Sequence, residues 1–219
     1  MSVNWSLYLA RYQSTHGGFF FGDGEQECDA QLVLTEGEKT PLSVCFRVMP
    51  NGKYTMNSLR GSTMVRLEKD YHLFIREKTM LTKSVAKVME LAGKSDYGYP
   101  EVTDGRFITT DNRDFTRQVF GDLEFRNALL DHPHEYVKVT PGPQEDGWHR
   151  IEVGVTSLDG SINGSEWVTE VMTRDLMFYE KKDRETVLKA AQDHFNTQMD
   201  RFLSLLRATQ RAVSAWRIS

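Results

Sequence analysis

The sequence predicts an α+β fold. It reads as an antiparallel meander sheet in the N-terminal half, short helices plus a hairpin in the middle, and a long amphipathic C-terminal helix. Three observations carry this. Before about residue 76, apolar and polar residues alternate in short runs separated by turn residues. After Thr79 the apolar residues recur at three- and four-residue spacing. From Asp183 onward the stripe continues with no internal Gly or Pro.

Residues 5–12 (WSLYLARY) read as a strand. The stretch 15–29, THGGFFFGDGEQECD, reads as a loop or irregular hairpin because of its glycines. Residues 30–36 and 42–49 read as strands, with Leu32/Leu34 and Val44/Phe46/Val48 alternating against polar neighbours. Asn51-Gly52 follows, and such a pair tolerates the positive φ of a tight hairpin, so 42–49 is expected to pair with 53–58. The run Met64–Ile75 is β-rich, with a bend expected near Asp70. No helix-length crossover separates these runs, so neighbours in sequence are expected to pair antiparallel.

Leu81, Val85, Val88, Met89 and Leu91-Ala92 fit a helix with Thr82 as N-cap and Gly93 as its stop. Phe107-Ile108 reads as a short strand. Thr110 or Asp111 is expected to cap a helix through Phe115, Val119 and Phe120. Asp122 is expected to cap another, through Phe125, Ala128, Leu129 and Leu130, ended by Pro133. Residues 135–140 and 149–156 alternate as strands, joined by PGPQEDGW. Residues 165–180 fit a helix better than a strand, although Asn163-Gly164 would also suit a hairpin turn. Residues 183–217 read as one helix. Leu188, Phe195, Met199, Phe202, Leu206, Val213 and Trp216 form its stripe, with Gln192 and Thr209 in the gaps. It would be about 50 Å long, more than the roughly 30 Å of a small domain.

A chain of 219 residues suits one domain, 1–219, with a substantial core. The net charge of −4 gives no global field toward nucleic acid or anionic lipid, though it leaves room for a local basic patch. No nucleic-acid partner is therefore expected. No run approaches 18 apolar residues, so no transmembrane segment is expected. The start, MSVNWSLYLARYQ, lacks the basic and apolar regions of a signal peptide, which implies a cytoplasmic, reducing setting with Cys28 and Cys45 as free thiols. Cys45, within Leu42–Phe46, is expected to be buried. Cys28, among Glu25, Glu27 and Asp29, is poorly placed for a nucleophile.

No stretch amounts to a diagnostic catalytic, metal or nucleotide motif, and no cofactor is indicated. The densest set of potential ligands is Asp131-His132-Pro133-His134-Glu135. On an extended segment His132 and His134 would point the same way, with His149 across the hairpin as a third imidazole. The plainer reading is a polar helix-to-strand connector. The glycines at 17–24 are followed by acids, not the Gly-Lys-Ser/Thr that cradles phosphate. Phe19, Phe20 and Phe21 read as a core plug in preference to a partner contact. Ser14, His16 and Asp23 are close in sequence only, which does not make a triad. The C-terminal stripe has two equal readings, a core face or an interaction seam formed by Phe195, Met199, Phe202, Leu206, Val213 and Trp216.

Residues 98–130 read GYPEVTDGRFITTDNRDFTRQVFGDLEFRNALL. Gly98, Pro100, Glu101, Asp104, Arg106, Phe107, Asn112, Arg117, Phe125, Arg126 and Leu129-Leu130 stand as in a module of an uncharacterised, often membrane-associated bacterial protein family, which this stretch resembles. Tyr99 and Val102 replace that pattern's Asp and Phe. With the hairpin, the likeness covers 98–156, about a third of the chain. It implies an α+β fold and no catalytic residues, with Arg106 and Asp104 in a turn network and Phe107 and Phe125 in the core.

The function expected is a non-enzymatic binding or protein-interaction module, with homodimerisation through the C-terminal helix. One alternative is a metal-assisted hydrolase using His132, His134 and His149. Another is a binder of a small apolar ligand held between helix and sheet near Phe19.

Overall fold

The computed structural model describes residues 3–24, 28–35, 37–38, 40–51, 54–78, 97–143, 146–155, 158, 166–168, 172 and 179–215. In chain order the elements are α1 (Trp5–His16), β1 (Phe19–Phe21), β2 (Ala30–Leu34), β3 (Leu42–Asn51), β4 (Tyr54–Arg66), β5 (Leu73–Glu77), α2 (Pro100–Thr103), β6 (Arg106–Thr110), α3 (Arg113–Gly121), α4 (Leu123–Asp131), β7 (Tyr136–Pro141), β8 (Trp148–Val155) and α5 (Lys181–Ser214). The strands form an eight-stranded antiparallel sheet in the order β1-β2-β3-β4-β8-β7-β5-β6. The α+β class is as expected. The helix expected over 81–93 and most of 165–180 lie outside the described residues.

Residues 5–16 are a helix, not the strand expected. The Asn4 side chain accepts from the Leu7 amide at 3.1 Å and caps the first turn. Trp5, Tyr8, Leu9 and Tyr12 are buried, and that spacing is one face of a helix. The loop expected after it contains β1, paired with β2 through Phe19↔Val33, Phe20↔Leu32 and Phe21↔Gln31. Gly18 makes that entry possible. Its φ is 91°, and a Cβ there would lie 2.5 Å from the Val33 carbonyl oxygen.

The meander holds only for β1 to β4. The bend near Asp70 exists, but β5 pairs with β6 and β7 instead of β4. The loop is held by long-range bonds. The Leu67 amide donates to Gly147 O at 2.8 Å, and the Tyr71 amide donates to His149 Nε2 at 3.0 Å.

Where one domain is expected, contacts divide the chain into two compact units, each of two segments: Met1–Gly61 with Val155–Phe202, and Ser62–Gly154 with Leu203–Ser219. In the first, the inward residues Leu32, Leu34, Leu42, Val44 and Phe46 are buried. The Phe195 ring of α5 lies within 6.5 Å of Trp5, Tyr8, Tyr12 and Trp167, an aromatic cluster that fixes α1 on α5.

In the second unit the register aligns Leu73, Val139 and Ile151 in one row and Ile75, Val137 and Val153 in the next, all buried. Phe115, Val119, Phe120, Phe125 and Leu129 of α3 and α4 are buried with them. Asn112, one or two residues past the expected cap, caps α3 through the Phe115 amide at 3.0 Å. Asp122 caps α4 as expected, through Phe125 at 2.8 Å.

Helix α5 begins and ends slightly earlier than expected. Phe195, Met199, Phe202, Leu206 and Val213 are all buried in the single chain, as are Leu203, Leu205, Ala208, Thr209 and Ala212. The stripe is thus the inner face of α5, widening over its last three turns. Trp216 lies outside the described residues.

Candidate functional site

The three histidines of the metal reading are engaged separately. His132 is buried, with Nδ1 3.5 Å from the buried Glu135 carboxylate. His134 is exposed and meets Glu77 at 2.9 Å across to β5. His149 is fully buried and uses both nitrogens on backbone. Nε2 accepts from the Tyr71 amide, so the proton sits on Nδ1, which faces Gly147 O at 3.0 Å. The imidazole, bonded at both nitrogens, pins the 67–72 loop to the β7–β8 turn. Among the described residues no group of three His, Cys, Asp or Glu is arranged to hold a metal.

Arg106 explains why residues 131–135 are ordered this way. Its buried guanidinium donates to the carbonyls of Leu129, of His132 at 2.7 Å and of Glu135 at 3.4 Å. It therefore satisfies the C-terminal end of α4 and the connector together. Burial works against its charge and pulls its pKa down, while Glu135 and Glu77 oppose that. The partners expected around Asp104 are replaced by α4. Arg126 has a similar task, stacking 4.1 Å over Tyr99 and donating to Phe120 O at 2.6 Å. Phe125 is core as expected, whereas Phe107 is on the outward side of the sheet, only half-buried.

Nearby, Tyr71 joins a buried hydroxyl chain, 2.8 Å to Thr116, itself 2.8 Å from Thr110. Burial pushes the Tyr71 phenol well above its usual range, so it stays protonated and serves as a hydrogen-bonding group, not a base. The Ser14, His16 and Asp23 combination does not form. Ser14 donates to Ala10 O, and His16 stacks on Tyr12 at 3.9 Å.

Between helix and sheet the rings of Trp5, Tyr8, Tyr12 and Phe46 pack around or beside Phe195. The Phe triplet is not a core plug. Phe20 lies opposite the buried Leu32, but Phe19 and Phe21 are 61% and 59% exposed. They point to the side opposite the core, with Val33, Gln31, Ser43 and Cys45 in the same rows. Cys45 is thereby half-exposed, against expectation. The run Leu42-Ser43-Val44-Cys45-Phe46 alternates, and Cys45 takes the outward phase.

β1 is also the end of the strand order. One side of it pairs with β2, and the residues from Gly17 to Gly22 carry no charge. Natural sheets usually guard such an edge with Lys, Pro or a bulge. The signal in the sequence was the pair Gly17-Gly18 beside three aromatic residues, which marks a strand entered by a tight turn as well as a loop.

No family model matches the chain, nor does any curated protein or solved structure. Among the described residues, no helix is long and apolar enough to cross a membrane.

Proposed function

We propose that this protein is a non-enzymatic interaction module that associates with a second copy of itself by pairing β1 edge to β1 edge. The observation that carries this is the exposure of Phe19 and Phe21 on an uncharged strand at the end of the sheet. Two antiparallel β1 strands related by a two-fold axis would set Phe20 opposite Phe20 and Phe19 opposite Phe21. The same short sequence then supplies both sides of the contact. Gly18 and Gly22 flank the strand and add no side chain to obstruct the approach. The reading moves self-association from the α5 stripe to the exposed rings of Phe19 and Phe21.

Light scattering tests it. Wild type is expected to show a concentration-dependent dimer at about 100 μM, and Phe19→Lys with Phe21→Lys is expected to remain monomeric with an unchanged melting profile. A monomeric wild type, or a dimer that persists in the double variant, overturns the β1 contact.

A further inference from the structure

We infer that the outward face of β5 to β8 binds single-stranded nucleic acid, stacking bases on its aromatic side chains and neutralising phosphates with its cations. The face follows from strand periodicity. Leu73, Ile75, Val137, Val139, Ile151 and Val153 are buried inward. The alternate positions must face the other way. Those positions hold Phe74 and Arg76 on β5, Phe107 and Thr109 on β6, Tyr136 and Lys138 on β7, and Trp148, Arg150 and Glu152 on β8.

These residues form one interleaved surface. The Phe74 and Tyr136 rings are 6.1 Å apart. The Arg76 guanidinium sits 5.7 Å from the Phe74 centroid and 5.3 Å from that of Phe107, held between two rings. Its Nε makes no hydrogen bond, and among the described residues no carboxylate pairs with it. Lys138 is exposed and stands opposite Glu152 in the β7–β8 register, with no ion pair between them among the described residues. The single acid, Glu152, is taken up by Arg150 at 3.4 Å and by the Tyr136 hydroxyl at 2.7 Å. The face thus carries three cations, Arg76, Lys138 and Arg150, against this one acid.

The arrangement selects the ligand. A contiguous apolar patch would suit a protein partner, but here half-exposed rings alternate with cations. Bases present flat π-faces that stack on Phe and Tyr, while phosphates between them need positive charge. A duplex hides its base faces, so only a single strand can use both halves of the surface. The chain's net charge of −4 adds no long-range attraction, so binding rests on this local face and is weak and salt-sensitive.

The test is fluorescence anisotropy with labelled twelve-nucleotide oligo-dT and oligo-U. Binding is expected in the micromolar range at 50 mM salt and about tenfold weaker at 200 mM, the slope for two or three neutralised phosphates. Lys138→Glu is expected to weaken binding about tenfold and flatten the salt dependence. Phe107→Leu is expected to weaken it roughly five- to tenfold with the slope unchanged, because it removes a stacking platform and no charge. A stronger response to oligo-U than to oligo-dT assigns RNA as the source, and the reverse assigns DNA. No anisotropy change up to about 100 μM protein overturns the inference. So does binding that Lys138→Glu leaves intact, equal binding of a duplex, or capture by phosphatidylserine vesicles without oligonucleotide binding. The Phe19→Lys, Phe21→Lys variant is expected to bind oligonucleotide as wild type does, which separates this surface from the β1 edge.

Discussion

In β1 and β2 the outward positions hold Phe19, Phe21, Gln31 and Val33, without a charge, and in β3 Ser43 and Cys45 are followed by the exposed Arg47. In β5 to β8 the outward positions hold Phe74, Arg76, Phe107, Tyr136, Lys138, Arg150 and Glu152. The inward positions of the two regions are mostly Leu, Val, Ile and Phe, with Arg106 and His149 as buried polar exceptions in the second. Burial forces that likeness, since a polar group in those rows loses its water and is kept only where backbone partners replace it, as at Arg106 and His149. Nothing forces the outward side, so its composition follows the surface each region presents. One ends in an uncharged strand, β1, with two exposed rings. The other is a cationic aromatic platform.

Substitutions probe this contrast in order of expected effect. Phe195→Ala empties the centre of the aromatic cluster and is expected to cost about 3–5 kcal/mol in denaturant unfolding. If it costs no more than Phe107→Leu on the outward face, the inward–outward division fails. Arg106→Met leaves three buried carbonyls around α4 without their donor and is expected to cost about 3 kcal/mol in the same measurement. A near-neutral result would mean that packing, not this cation, sets the α4–β7 connection.

Asp122→Asn is expected to cost up to about 1 kcal/mol at pH 7, since it keeps a capping side chain but removes the charge. Burial, the largest influence on Asp122, pushes its pKa up. The Phe125 amide and the Arg211 guanidinium, 3.2 Å away, outweigh it and hold the carboxyl below its usual range. A depressed folded pKa stabilises above the unfolded pKa of about 3.9 and ceases to do so as pH falls through the folded one. The gap between wild type and variant should therefore be constant from pH 7 to about 5 and close below about pH 4. Thermal melts across that range check it, and a gap that widens in acid would contradict the sign. Phe19→Lys with Phe21→Lys is expected to change monomer stability by less than about 0.5 kcal/mol, because both rings are already in water. A large loss would return the Phe triplet to the core.

Where a local rule sufficed, the elements were legible. The caps at Asp122 and near Asn112, the alternation of β2, β3, β7 and β8, and the 3-4 stripe of α5 each follow from neighbours a few residues apart. Trp5–Tyr12 misled because a short apolar run satisfies a helix and a strand almost equally, and Asn4 at its start decides between them. The histidine cluster misled for a different reason. His132, His134 and His149 share a spacing, but their partners are Glu135, Glu77 and the Tyr71 amide. Two of these lie more than fifty residues away.

The sequence alone determined the α+β class, the Asp122 cap and the apolar face of α5, because periodicity and capping act over one or two turns. Tertiary structure decided which strands are neighbours, that β5 leaves the meander, that α5's stripe is spent inside the chain, and that Phe19 and Phe21 face water. Those outcomes depend on long-range pairing and on the volume filled by Trp5, Tyr12 and Phe195, quantities no local pattern encodes.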